Sequence, residues 1–183
     1  MLLEQAISLG PRHADAHSEL GQAYSLMSTY LRDDDKPAII HRATLCAERG
    51  LEIDPIMGFP LTLIALEKFT LGNIVDAITI TEETYRREPD NLEVALRLGY
   101  FFAAIWHISR AMPYIEKAVS LDPIQGRNFQ ILATVKLCIG DLEEADGLTK
   151  CAIDMQHHFG YETYVAIAFA RGEHELGGQW LLH

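Results

Sequence analysis

LEVALRLGYFFAAIWHISRAMPYIEKAVSLDP, residues Leu92 to Pro123, decides the fold. Its apolar residues recur at helical spacing in two runs: Ala95, Leu98, Gly99 and Phe102 form one stripe, and Ala111, Ile115, Ala118 and Val119 form another. Two such stripes facing each other make a helical hairpin. Gly99 and Ala111 are small enough for the two backbones to approach closely, and a larger side chain at either position would overpack the contact by roughly 1–3 kcal/mol. Pro123, preceded by Asp122, closes the second helix, because proline lacks an N–H and disfavours helical geometry in the residue before it.

The same unit recurs along the chain. Ala43, Ala77, Ala111 and Ala145 lie 34 residues apart, and Pro55, Pro89 and Pro123 follow at the same period, each twelve residues behind its alanine. A fixed period of this length is the signature of a repeat array. One hairpin cannot bury its apolar face alone and must stack on a neighbour.

The residues that carry the pattern are His17, Leu20, Gly21 and Tyr24 in the first unit, and Leu61, Ile64, Ala65, Gly72, Ala77 and Pro89 in the second. The third unit has Leu98, Gly99, Phe102, Ala111, Ala118 and Pro123, and the fourth has Phe129, Leu132, Ala133, Gly140, Ala145 and Ala152. This pattern resembles the tetratricopeptide repeat over nearly the whole chain. The resemblance implies an all-α fold, a right-handed α-α superhelix of helix-turn-helix hairpins. It divides residues 1–183, read as one domain, into a partial repeat at 1–11 and a long first repeat at 14–55. Regular repeats follow at 58–89, 92–123 and 126–157, then a partial repeat at 160–183.

Departures from the pattern carry expectations of their own. Lys68 and Lys136 occupy the aromatic position in the second and fourth units, and Trp106 replaces the turn glycine in the third, so looser hairpins are expected there. His157 stands where the fourth unit's proline belongs, so a weaker break into Phe159 is expected. Pro113 lies early in a second helix, tolerable in the first turn but kinking further in. The first unit carries ten extra residues around STYLRDDDKPAIIH, which either lengthen both helices or project as a loop. Asp33, Asp34 and Asp35 before Lys36-Pro37 suit a helix start, where carboxylates satisfy free N–H groups.

At the front, LLEQAISL reads as a second helix, since Ala6, Ile7 and Leu9 precede Pro11 as Ala118, Val119 and Leu121 precede Pro123. Either the chain is part of a longer protein or this helix caps the exposed end of the stack. At the back, a weak second helix with Gly177-Gly178 and Trp180 leaves an apolar end, which a homodimer could cover.

Composition narrows the function. A formal net charge of -11, with no Lys/Arg cluster, repels phosphate backbones and disfavours nucleic acid and acidic partners. The Phe69–Ile80 stretch, interrupted by Gly72, Asn73 and Asp76, falls short of the roughly 20 apolar residues of a membrane span. MLLEQAISLGPR has no basic start, and Cys46, Cys138 and Cys151 show no paired spacing, so a cytoplasmic protein with reduced thiols is expected. The three cysteines lie within helical patterns, where a buried thiol acts as a small hydrophobe. No phosphate loop or nucleophile motif is present, Glu82-Glu83 and Glu143-Glu144 read as solvated surface, and Asp141 with Glu144 reads as a capping box. No catalytic residue and no cofactor is expected.

His13 and His17, four apart, are the one spacing that invites a metal. Pro11-Arg12 marks a break there, however, and His17 holds a position that the family fills with a packing residue. His157, His158 and His174 lack companion ligands and are expected at solvent-facing turns, so no metal site is expected.

In the family, first helices line a concave groove that binds peptides. Carried over position by position, the lining is Asp15, Ser18 and Gln22; Phe59, Thr62, Leu66 and Phe69; Glu93, Leu96, Arg97 and Tyr100; Arg127, Gln130 and Thr134; and Tyr161 and Tyr164. Gln22, Phe59, Leu66, Phe69, Arg97, Tyr100, Arg127, Gln130, Tyr161 and Tyr164 are the expected partner-binding residues. The carboxylate clamp of chaperone-binding members is not reproduced: Ser18 and Gln22 replace its Lys and Asn, Leu63 its second Asn, and Glu93 lies beside Arg97. The expected function is a noncatalytic scaffold for a protein or peptide segment. The alternative is a regulatory or oligomerisation module of a larger bacterial protein, since ADAHSELG and SLDP resemble repeat regions attached to nucleotide cyclases and winged-helix transcriptional regulators.

Overall fold

The computed structural model describes residues 2–28, 30–32 and 34–180, without the side chains of residues 176, 179 and 180. The described residues form α1 (Leu2–Leu9), α2 (Ala14–Ser28), α3 (Lys36–Ile53), α4 (Phe59–Thr70), α5 (Ile74–Arg87), α6 (Leu92–Ala104), α7 (Ile108–Leu121), α8 (Gly126–Cys138), α9 (Leu142–Asp154), α10 (Gly160–Ala170) and α11 (His174–Trp180). They fall into two compact units, Met1–Leu98 and Gly99–His183, divided within α6. In the first, α2 pairs with α3, and α4 packs on both and on α5. In the second, α8 pairs with α9, and α10 packs on both and on α11. Within each unit, α4 and α10 thus seal the hairpin before them, which is how stacked hairpins share an interior.

The small residues do what their spacing implies. A Cβ added to Gly99 would lie 2.5 Å from Ile115 Cγ1 and 3.4 Å from the Ala111 carbonyl oxygen. Ala43, Ala77, Ala111 and Ala145 are all buried, as are Ala65 and Ala133 in the first helices facing them.

Three short hairpin turns share one geometry. The first helix ends with a residue in the left-handed region, and the next N–H reaches back to close the end. Asn73 donates to the Lys68 carbonyl at 2.8 Å, His107 to that of Phe102 at 2.8 Å, and Asp141 to that of Lys136 at 3.0 Å. Glycine supplies the left-handed residue at Gly72 (φ 85°) and Gly140 (φ 82°), but Trp106 supplies it at φ 60°. The third hairpin is therefore not loosened by losing its glycine. It makes the same turn with strain in Trp106.

The lysine-bearing hairpins are not looser either. Lys68 and Lys136 each reach an acidic side chain eight residues on, in the facing helix: Lys68 Nζ lies 3.9 Å from Asp76 and Lys136 Nζ 2.7 Å from Glu144. In the third unit the same offset sets Arg110 over the Phe102 ring at 4.1 Å. In the first, Arg42 stands over Tyr24 at 4.3 Å and donates to its hydroxyl at 2.6 Å, eighteen residues on because ten are inserted. One slot is filled by a cation–π pair or by an ion pair of reversed layout. Glu144 is thereby drawn away from the expected capping box: Asp141 accepts the Glu144 N–H at 3.2 Å, but the Glu144 carboxylate goes to Lys136.

The ten inserted residues both lengthen helices and widen the loop. α2 has 15 residues and α3 has 18, against 13 and 14 in α6 and α7. Asp35 holds the N-cap position of α3 ahead of Pro37 without a side-chain cap hydrogen bond, and Asp33 lies outside the described residues. The break at His157 is not weakened, because α9 ends at Asp154, Gln156 takes a left-handed φ of 59°, and His157 donates to the Ala152 carbonyl at 3.0 Å. Pro113 sits inside α7, past the first turn, where it removes the hydrogen bond to the Ser109 carbonyl. The contact expected near Trp180 falls on a side chain outside those described.

Trp106 is 74% exposed, so replacing it removes strain with little loss of packing. Trp106→Gly is expected to stabilise the fold by about 1 kcal/mol, read calorimetrically as a Tm rise of about 2–4 °C. A double-mutant cycle on Lys136 and Glu144 is expected to show a coupling of about 0.5 kcal/mol that shrinks at high salt. The Glu144 carboxylate raises the Lys136 pKa above its ordinary value. That coupling is therefore complete at neutral pH, where both groups are charged, and lost as pH climbs through the raised value.

Candidate functional site

The residues expected to line the groove lie on the first helices of both units. In the first unit, Phe59, Leu66 and Phe69 follow one face of α4, with Gln22 on α2 and Arg97 on α6. Phe59 and Phe69 are half-buried, whereas Leu66 is only 7% exposed and Thr62 is fully buried, its hydroxyl donating to the Phe59 carbonyl at 2.7 Å. Leu66 therefore belongs to the packed interior. Gln22 is half-buried, and Arg97 reaches from α6 to the Ser25 hydroxyl on α2 at 3.5 Å. Ser25 falls outside the expected set, although it lies one turn beyond Gln22 in the register that selected the others.

In the second unit the expected residues are Tyr100 on α6, Arg127 and Gln130 on α8, and Tyr161 and Tyr164 on α10. Tyr100 is 47% exposed and tilts against Phe101, with ring centroids 5.9 Å apart. Tyr161 is exposed, edge-on to His158 at 6.5 Å, while Tyr164, Arg127 and Gln130 are half-buried. The Gln130 amide donates to Thr134 at 3.0 Å and to Thr163 at 3.2 Å, tying α8 to α10. Thr163 lies off the predicted stripe, and only the packing of α10 on α8 brings it in.

His157 does not face solvent. It is half-buried, with its Cβ 2.7 Å from where a Gly126 Cβ would stand, and its Nε2 has no hydrogen-bond partner among the described residues. Burial first, then the charges of Arg127 and His158, hold its pKa below the ordinary imidazole value. His158 and His174 are exposed, and each rests on an aromatic ring. The cysteines also differ from expectation: Cys138 and Cys151 are exposed, and only Cys46 is half-buried, which raises its thiol pKa.

His13 and His17 are tied to backbone. His13 Nδ1 accepts the Ala16 N–H at 3.3 Å, and His17 Nε2 lies 3.1 Å from the Pro11 carbonyl. Among the described residues no group of three or more His, Cys, Asp or Glu side chains is placed to hold a metal ion. No helix among them is long and apolar enough to cross a membrane.

Leu66→Ala is expected to cost about 2–4 kcal/mol through the cavity left in the packed interior. A denaturant midpoint unchanged by that substitution would return Leu66 to the surface.

Neither a protein-family model nor a curated protein matches the chain. Solved structures do match. The tetratricopeptide protein TTC0263 of Thermus thermophilus superimposes with a TM-score of 0.70 at 17% identity, covering 92% of this chain and 87% of that one. MamA (41-end) from Desulfovibrio magneticus RS-1 gives 0.63 at 16% identity over 88% and 91%. YrrB, described as a tetratricopeptide protein with an unusual peptide-binding site, gives 0.58 at 15% over 99% and 89%. With its helix pairs, close small-residue contacts and left-handed turn closures, this chain has the tetratricopeptide-repeat fold, an all-α α-α superhelix.

Proposed function

We propose that the chain is a noncatalytic scaffold that binds a protein or peptide segment on its first-helix walls. The observation that carries this reading is the exposure of Tyr100 on α6 and Tyr161 on α10, with the half-buried Arg127 and Gln130 on α8, the first helix between them in chain order. Aromatic rings anchor a partner at low entropic cost, and guanidinium and amide groups beside them fix its orientation. Gln22, Phe59, Phe69 and Arg97 extend the proposal to the first unit, with Leu66 supporting them from below. The peptide-binding site named for YrrB is consistent with this use of the fold.

The repeat boundaries at 14–55, 58–89, 92–123 and 126–157 are part of the same proposal. The net charge of -11 argues for partners other than nucleic acid. Three free cysteines, two of them exposed, support a reducing cytoplasmic location. The proposed self-association through the C-terminal end stands apart from these walls.

A photo-crosslinking amino acid at Tyr100 or Tyr161 is expected to trap a protein from the native lysate, whereas the same probe at exposed Glu83 on α5 traps none of it. Tyr100→Asp is expected to weaken capture about tenfold or more with helical circular dichroism unchanged. Equal trapping from Glu83, or capture indifferent to Tyr100→Asp, would remove the wall from the function.

A further inference from the structure

The chain closes three of its repeats with proline and one with histidine. Pro55, Pro89 and Pro123 recur at a period of 34, and His157 takes the next place in that series. Proline does not titrate, so of these four positions only the last can gain a charge near neutral pH.

His157 lies in the link between α9 and α10, and its surroundings come from three helices. From α8, Gly126 comes so close that a Cβ there would stand 2.7 Å from His157 Cβ and 3.1 Å from Met155 Cβ. From α9, the Ala152 carbonyl accepts the His157 N–H at 3.0 Å. Toward α10, the His157 carbonyl accepts the Gly160 N–H at 3.0 Å, and the imidazole lies 5.8 Å from the ring of Phe159, the N-cap residue of that helix. One residue thus joins the end of α9 to the starts of α8 and α10.

Its Nε2 is shut off from solvent, and no hydrogen-bond partner reaches it among the described residues. A neutral imidazole can present that nitrogen without a proton, whereas an imidazolium carries an N–H on both nitrogens. Protonation in place would therefore create a buried donor with no acceptor and a positive charge with no counter-ion. The charged and titratable groups that act on the ring are Arg127 from α8 and His158 from the link, and each opposes a positive charge there. Asp154 on α9 and Glu162 on α10, the carboxylates nearest in sequence, are exposed, and neither forms an ion pair with it.

We propose that His157 is an acid-sensitive latch: on taking up a proton it leaves its seat against Gly126 and loosens α10 from α8 and α9. The linkage has one direction. The folded protein holds this imidazole below its ordinary pKa, so the opened junction binds the proton more readily. The latch is closed above the ordinary imidazole value and weakens as pH falls from there toward the lowered one. It concerns the packing of α10 alone and does not depend on what binds the first helices.

The test follows backbone amide exchange of the full chain at about pH 7.5 and about pH 5.5, on either side of the ordinary imidazole value, corrected for the intrinsic pH dependence of exchange. Protection of α10 is expected to fall about threefold or more at the lower pH, while α5 in the first unit changes by less than about twofold. His157→Leu, neutral at every pH, is expected to abolish the difference, whereas His158→Gln, at an exposed position, keeps it. An NMR titration of the imidazole in the unaltered chain gives a readout that needs no variant, with His157 expected to stay neutral below the ordinary imidazole value. Protection of α10 that is equal at both pH values, an acid effect that persists in His157→Leu, or an imidazole that titrates at or above its ordinary value would each overturn the proposal.

Discussion

The approach of two helix backbones across glycine and alanine is the contact on which the rest depends. Gly99 meets Ile115 and the Ala111 carbonyl closely enough that one added methyl group would collide. This closeness aligns the two helices of a hairpin and sets the next first helix into the groove they leave, as α4 settles on α2 and α3 and α10 on α8 and α9. The proposed binding surface depends on it, because residues on successive first helices share a surface only when those helices pack side by side.

Around that contact the chain tolerates wide chemical variation. The slot between the end of each first helix and the start of its partner holds Tyr24 with Arg42, Lys68 with Asp76, Phe102 with Arg110, and Lys136 with Glu144. A cation lies over a ring in two cases and beside a carboxylate in the other two, with the positive charge moved from second helix to first. What is preserved is attraction across the gap. The turn closure behaves the same way: glycine, tryptophan and glutamine all occupy the left-handed position, because the backbone hydrogen bonds of the helix end outweigh a local strain of about 1 kcal/mol.

These two features explain which readings of the residues succeeded. Helix positions were legible because Ala43, Ala77, Ala111 and Ala145 mark helices by spacing alone. Departure from the repeat pattern at Lys68, Lys136 and Trp106 does not loosen the hairpins, because the lysines meet carboxylates eight residues on and Trp106 adopts the left-handed backbone angle of a glycine. Among site residues, Tyr100 and Tyr161 combine the expected register with real exposure. Leu66 has the register without the exposure, since α4 is packed more deeply than its stripe implies. His157 looked like a turn residue and proved to be packed at the start of α8, which no local pattern reports.

By itself, the sequence determined the hairpin unit, its period, the ten-residue insertion and the absence of a carboxylate clamp, because these rest on spacing and residue size along one chain. Only the tertiary structure decided that Leu66 is buried, that Gln130 ties α8 to α10, and that Leu2, Ala6 and Leu9 are exposed. The physical reason is the same in each case. Burial and pairing depend on which surfaces of separate helices meet, and helical periodicity states which residues share a face without stating what that face touches.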